Sequence, residues 1–401
     1  MIIMTEERPD LLIVEDEEDR YSRLRLIPWW DQELLKKTKV LVVGAGALGN
    51  EILKNLALVG IGKILVLDID EIENSNLSRS VLFRSTDEGK SKAKTAAEMV
   101  KEINPDCSIQ WLDTNVVYNL GLGVFKWADL VIGGLDNREA RLAINQSCWK
   151  VGTPWVDGAI EVFFGVARVF VPPDSACYEC TMNDMDYKLL NMRRSCALLT
   201  RKDMVEGKIP TTPTISSIIA GIQVQEALKL IHSREGMPTL AGKGLFFNGL
   251  NYDSYVVQYD YKENCQSHEY YGEIRELPLS INSTSLGKLI QLLRSEHGNE
   301  AIIELEKDLV TSLTCHKCDL TDDLFKMLGQ VTEKEAICQK CGELRDPEMT
   351  HTIDGSEPYL DLMLSDIGIP EMEVITVRND SNFFYYELTG DRYNLLGVLL
   401  S

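Results

Sequence analysis

The sequence predicts an α/β fold, in which a doubly wound, mainly parallel sheet is followed by a smaller α+β domain. Three observations predict it. Between residues 39 and 158, short apolar runs rich in β-branched residues alternate with stretches of helical spacing. The first of those runs leads directly into Gly44-Ala-Gly46-Ala-Leu-Gly49. After Val171 the pattern changes, and from about Glu269 the organisation restarts, with a helix and two further Cys-x-x-Cys pairs.

The elements follow in order. Residues 1–19 are charged and without periodicity, which predicts a mobile arm, and Tyr21 to Lys37 reads as helical. Lys39 to Val43 is a strand, and after the glycines Ile52, Leu53 and Leu56 recur at helical spacing. A second strand, Ile64 to Leu67, ends at Asp68, completing a strand–turn–helix–strand unit. Ala93, Ala96, Ala97, Val100 and Ile103 mark one face of a helix, while Leu130 to Leu135 and Pro154 to Gly158 read as buried strands. Beyond Val171 come a Cys-x-x-Cys, a polar Met-rich stretch, and Ile-Pro-Thr-Thr-Pro-Thr (209–214), which opens a long helix to Ile231. Gly244 to Leu250 and Tyr255 to Tyr261 read as strands. The boundaries expected are an arm over 1–19, a first domain over 20–270 and a second over 271–401. The second begins with a helix near Leu286 to Arg294 and closes with a strand ending at Val377 and its hairpin neighbour Phe383 to Leu388.

Composition narrows the function. A net charge of −21 argues against a nucleic-acid surface. No apolar run is long enough to span a membrane and the start is acidic, so a cytoplasmic protein is expected. Without a secretion signal, the ten cysteines read as metal ligands or catalytic thiols. Cys315-His-Lys-Cys318 and Cys338-Gln-Lys-Cys341 have zinc-ribbon spacing, and four thiolates with no catalytic acid suggested between them predict a structural Zn²⁺; a redox role is the alternative.

The glycines Gly44, Gly46 and Gly49 follow a strand and open a helix, so that backbone N–H groups can approach phosphates, and Asp68 is placed to accept from ribose hydroxyls. That much fits NAD as well as ATP. What separates the two is the order of later motifs: Asp68-Ile-Asp70-Glu-Ile-Glu-Asn-Ser-Asn76-Leu-Ser-Arg79, then Gly89-Lys-Ser-Lys92, then Gly-Gly-Leu-Asp136-Asn137, all preceded by Arg20-Tyr-Ser-Arg23. Over residues 20–270 this order resembles the superfamily of MoeB, ThiF and ubiquitin-activating enzymes.

The resemblance implies a Rossmann-like adenylation domain that binds Mg·ATP and a ubiquitin-like or sulfur-carrier protein ending in glycine. By the same resemblance Arg79 and Lys92 donate to the β- and γ-phosphates, Asn76 lies against the phosphates, and Asp136 holds Mg²⁺ with Asn137 beside it. Arg23 reaches the γ-phosphate from the partner subunit of a homodimer. The family's Gln after the arginine is Ser80 here, a change expected to alter packing. Cys177-Tyr-Glu-Cys180 falls at the first half of the family's zinc site, and Cys265-Gln-Ser-His268 supplies a second half, which implies Zn²⁺ on Cys177, Cys180, Cys265 and His268.

Cys196, after Arg193-Arg194, stands in the crossover loop (about 181–212) where thioester-forming relatives carry their nucleophile, and two guanidiniums favour a thiolate. Cys107 and Cys148 fall inside core elements. The segment 364–377 resembles the ubiquitin-fold part of activating enzymes that recruits a conjugating enzyme. The alternative for that domain is a role in dimer contacts or stability. The expected function is adenylation of a terminal glycine followed by thioester formation on Cys196. A sulfur-carrier adenylyltransferase without the thioester, an NAD-dependent oxidoreductase and an inactive scaffold are the alternatives.

Overall fold

The computed structural model describes residues 18–188, 210–233 and 236–400. An eight-stranded sheet forms its first half, in the order β3-β2-β1-β4-β5-β6-β7-β8. The strands are β1 (Lys39–Val43), β2 (Lys63–Leu67), β3 (Ser108–Leu112), β4 (Leu130–Gly133), β5 (Trp155–Glu161), β6 (Phe164–Phe170), β7 (Lys243–Asn248) and β8 (Asp253–Gln258). From β3 to β5 all pairings are parallel, and from β5 to β8 all are antiparallel. Parallel strands are buried on both faces, which is why β1 and β2 are almost wholly apolar.

One face is covered by α2 (Ala47–Val59), α3 (Lys92–Ile103) and α6 (Pro213–His232), whose Leu53, Ala96 and Ile219 pack on Val40, Ile64 and Val156. The other carries α4 (Leu122–Trp127) and α5 (Arg138–Val151), with Phe125 and Ile144 against Leu41, Leu65 and Trp155. Thr212 caps α6 and Pro213 occupies its first turn, where a missing N–H costs nothing. The segment Tyr21 to Lys37 departs from the expected single helix: a 3₁₀ turn (Leu24–Leu26) is followed by α1 (Gln32–Lys37). Pro28 pushes Ile27 out of the helical region, to ψ 118°, and Asp31 caps a new start by accepting from Leu34 N–H.

A second sheet begins at β9 (Ile274–Leu277) and adds β10 (Ile302–Cys315), β11 (Leu320–Met327), β12 (Asp346–Ile353), β13 (Val374–Asn379) and β14 (Asn382–Leu388). Its order is β11-β10-β13-β14-β9, and β12 pairs antiparallel with the long strand β10 off this path. The β13–β14 pair is the antiparallel hairpin read from the sequence, and β9 pairs parallel to β14. Helix α7 (Leu286–His297) lays Leu289, Ile290 and Leu293 on this sheet. A one-turn helix α8 (Glu333–Ala336) precedes the second cysteine pair, and α9 (Arg392–Leu396) runs into a 3₁₀ turn ending at Leu400.

The two halves share a core. Met372, Val374, Leu396 and Leu399 bury among Leu41, Leu65 and Phe125 of the first sheet's layer. Glu387, buried in β14, accepts from Lys126 of α4 at 2.7 Å and from Arg392 at 2.7 Å. No helix among the described residues is long and apolar enough to cross a membrane.

Candidate nucleotide site and metal clusters

Three loops converge where the parallel strands end. Gly44 follows β1, Asp68 follows β2 and Gly134 follows β4, and strand order places β1 between the other two, the crevice position for ligands in open α/β sheets. The loops are knitted together: Gly44 N–H donates to Leu67 O and Gly134 N–H to Val43 O, both at 2.8 Å. Gly44 has φ +95°, and a Cβ there would lie 2.7 Å from the Gly134 carbonyl oxygen. A Cβ on Gly49 would lie 1.9 Å from the Gly44 oxygen, so the helix can pack onto the turn only because position 49 lacks a side chain. Gly46 is different. It caps α2 with no side-chain hydrogen bond, and a Cβ built on it meets nothing within 4 Å. The space beside Gly46 is therefore open at the start of α2, and a helix N-terminus without a side-chain cap has the chemistry of an anion site.

Asp68 braces this cradle as well as lining it, since its Oδ2 accepts from Ala45 N–H at 2.6 Å and its Oδ1 from Asp70 N–H at 2.9 Å. Burial pushes its carboxyl above the ordinary range, against the opposing pull of the Lys92 ammonium. Lys92, on the first turn of α3, pairs with Asp70 at 2.7 Å. Asn76 accepts from Glu73 N–H at 2.9 Å, and Arg79 donates to Ser75 O at 2.8 Å, so the 73–79 turn is shaped by its own side chains. Ser80, which follows, is buried. Across the crevice Asn137 caps α5 through Ala140 N–H at 2.8 Å and meets Asp136 at 3.4 Å, leaving the Asp136 carboxylate exposed. An exposed carboxylate beside a phosphate cradle suits Mg²⁺, which takes one or two protein oxygens with the phosphates. Arg23 is exposed on the segment anchored by buried Tyr21, whose hydroxyl accepts from Asn104 at 2.7 Å. Cys196 lies outside the described residues.

Both cysteine clusters close up. The Sγ atoms of Cys177, Cys180 and Cys265 and the Nε2 atom of His268 lie within 4.8 Å of one another, as do the sulfurs of Cys315, Cys318, Cys338 and Cys341. Tetrahedral Zn–S bonds of about 2.3 Å place sulfurs about 3.8 Å apart. Cys177 is 3.7 Å from Cys180 and 3.6 Å from Cys265, Cys180 is 3.4 Å from His268 Nε2, and Cys315 is 3.5 Å from Cys341. The donor sets fit a tetrahedral thiophilic ion. Trp149 stacks on His268 at 4.2 Å and holds the ring, whose buried Nδ1 has no protein partner. Cys107 and Cys148 are buried, and burial pushes the Cys107 thiol up to about 12 and Cys148 well above its usual range, as core thiols require.

Two groups around the site escaped the sequence reading. Asp157, wholly buried in β5, is gripped by Arg141 of α5 and Arg168 of β6. Buried Glu179, between two cluster cysteines, accepts from Ser267 and, at 2.9 Å, from Tyr187. The available signal was a carboxylate inside the apolar run Pro-Trp-Val-Asp157, since a buried charge demands partners.

Fold and site define an α/β protein of the nucleotide-binding type with two cysteine-rich clusters that could each hold a metal ion. The chain belongs to the ThiF family, whose description matches residues 19–267. Among its relatives, the SAMP-activating enzyme E1 of Haloferax volcanii is 34% identical over 250 residues, covering 62% of this chain and 87% of that one. Ubiquitin-like modifier-activating enzyme 5 of Dictyostelium discoideum is 30% identical over 53% of this chain and 58% of its own length. The probable adenylyltransferase/sulfurtransferase MoeZ of Mycobacterium tuberculosis is 36% identical over 40% of this chain and 42% of its own. Thus the chain spans most of the first relative and about half of the other two. The crystal structure of E. coli MccB with ATP shares the fold, at TM-score 0.53 and 23% identity, covering 63% of this chain and 75% of that one.

Proposed function

We propose that this protein uses Mg·ATP to adenylate the C-terminal glycine carboxylate of a ubiquitin-like protein and then captures the acyl group as a thioester on Cys196. The observation that carries the first step is the start of α2 at Gly46, which has no side-chain cap and open space beside it, at the crevice where the loops after β1, β2 and β4 meet. Names of the relatives support the substrate class, since they include enzymes activating SAMP and a ubiquitin-like modifier.

In the first step a carboxylate oxygen of the terminal glycine attacks the α-phosphorus of ATP, the bond to the β-phosphate bridging oxygen breaks, and pyrophosphate leaves. Transfer at this position develops charge on the departing oxygens, so fixed cations there lower the barrier. Lys92 and Arg79 would supply them, with Arg23 arriving from the second subunit of a homodimer. Asp136 would hold Mg²⁺, which screens phosphate charge when bound. Asp68 would accept from the ribose. In the second step the Cys196 thiolate attacks the acyl carbon and AMP departs.

Zn²⁺ is the ion that both clusters suit, in a structural role that fixes each knuckle. Residues 271–401 would recruit a conjugating enzyme, and the protein would act in the cytoplasm. The alternative, a sulfur-carrier adenylyltransferase that stops at the adenylate, is favoured by MoeZ among the relatives. An NAD-dependent oxidoreductase would share the glycine turn but leaves Arg79, Lys92 and Asp136 without a purpose.

ATP–pyrophosphate exchange with glycine-terminated ubiquitin-like proteins, combined with a non-reducing gel, tests the reading. Exchange with a thiol-sensitive adduct that disappears in Cys196→Ala is expected. Exchange without an adduct would favour the sulfur-carrier reading, and absence of exchange with every candidate would overturn adenylation.

A further inference from the structure

The carboxylate at position 136 is exposed, yet the backbone beneath it is held from the interior. Arg141 lies one turn into α5 and is almost wholly buried. Its Nη2 donates to Leu135 O at 2.5 Å and to Gly158 O at 3.0 Å, and its Nε donates to Asp157 Oδ1 at 3.0 Å. The Leu135 carbonyl belongs to the peptide whose other end is the nitrogen and Cα of Asp136. Because a peptide is planar, fixing that oxygen fixes where the nitrogen and Cα of Asp136 lie, the point from which its side chain leaves the loop.

Asp157 does not need Arg141 for neutrality. Its second oxygen already receives two bonds from Arg168, at 2.9 Å and 2.5 Å. A wholly buried carboxylate between two guanidiniums is also a poor device for stability, since apolar residues of similar volume commonly do as well or better. What Arg141 adds is geometry: it ties the loop after β4 to β5.

We propose that Arg141, oriented by Asp157, is a positioning residue that sets the Asp136 carboxylate for magnesium. Arg168 completes the charge balance without reaching the loop. The proposal rests on Asp136 holding Mg²⁺, as set out under the proposed function.

The test is equilibrium binding of ATP to the full-length protein as Mg²⁺ is varied, a measurement independent of turnover. Partners that orient a ligating carboxylate change metal affinity by about 10- to 100-fold, so Arg141→Lys, which keeps the charge but loses the fork, should raise the Mg²⁺ concentration at half-saturation about tenfold. Arg168→Lys disturbs the same buried cluster and should move it by less than about threefold, within the spread of a purely structural change. Equal shifts in the two variants, or an unshifted Arg141→Lys, would overturn the proposal. Should Arg141→Lys fail to fold, Asp157→Asn preserves shape while releasing the guanidinium. The same direction of shift is expected there, and wild-type magnesium dependence would be decisive against the idea. Asp136→Asn separates the two readings: if it leaves the magnesium requirement unchanged, the role of Asp136 fails; if it raises the requirement while Arg141→Lys does not, only the positioning role fails.

Discussion

Gly44 and Gly46 stand two residues apart in one turn, and the structure assigns them opposite responses to the same substitution. At Gly44 an alanine would have to adopt φ +95° and would place Cβ 2.7 Å from the Gly134 oxygen. Strained backbone of this kind costs about 1–3 kcal/mol and the overlap roughly 1–3 kcal/mol more if the β4 loop is to yield, so Gly44→Ala should lose about 2–6 kcal/mol. For a cooperative unit of this size that corresponds to a fall in melting temperature of roughly 5 °C or more. At Gly46 the backbone has φ −72° and ψ −155°, in the extended region, and the new Cβ meets nothing. Alanine there removes unfolded-state freedom but is a poorer helix N-cap than glycine, and the two effects offset to within about 1 kcal/mol. The open space is where phosphate would sit, so Gly46→Ala should bind Mg·ATP at least about tenfold more weakly while melting close to wild type, since a methyl group displaces a charge-assisted contact. Melting curves with and without Mg·ATP, together with calorimetric affinities, read both quantities. A Gly46→Ala protein with undiminished nucleotide affinity would refute the assignment of that space to phosphate. A Gly44→Ala protein as stable as wild type would refute the reading of the turn.

Metal analysis of the purified protein should give two zinc ions per chain, and Cys338→Ser should reduce that to one without disturbing the Cys177 cluster; retention of both would dissolve the second site. Alkylation of the native protein at pH 8 should leave Cys107 and Cys148 unmodified, because burial keeps both thiols protonated, while the denatured chain reacts at both. Labelling of either at the rate of a free thiol would contradict their place in the core. Glu335 gives a pH prediction. Burial raises its carboxyl, but Lys326 and the Thr332 N–H outweigh that and hold it at about 2, against an ordinary 4.5. A depressed carboxylate stabilises the fold above its unfolded pKa and loses that contribution as pH falls through its folded value. After allowance for solvent screening, Glu335→Gln should therefore be about 1 kcal/mol less stable than wild type at neutral pH. That gap should narrow as pH falls from 4.5 towards 2, and a gap that persists at pH 2 would exclude ionisation as its origin.

Local chemistry was legible in the sequence, and assembly was not. The β1–α2–β2 unit, the helix from Pro213 and the hairpin at residues 374–388 announce themselves through period, caps and turns. The cysteine sets were legible because ligands must come in knuckles of fixed spacing. The break in the segment 21–37 is a matter of one proline outweighing apolar spacing over a short stretch. The antiparallel turn of the large sheet after β5 was not legible, since β6 was not read as a strand and β7 and β8 read only as strands without direction. The Arg141–Asp157–Arg168 cluster joins α5, β5 and β6, and no short pattern encodes such a meeting.

The burial of Leu396 and Leu399 beside Leu41 and Leu65 has a consequence for how the protein is made. Strands that flank the nucleotide crevice are synthesised before residues 392–400, yet those residues supply one wall of their core. During translation the early half must wait, with apolar surface open on that side, until those residues have left the ribosome. Completion of the nucleotide site thereby becomes tied to completion of the second sheet.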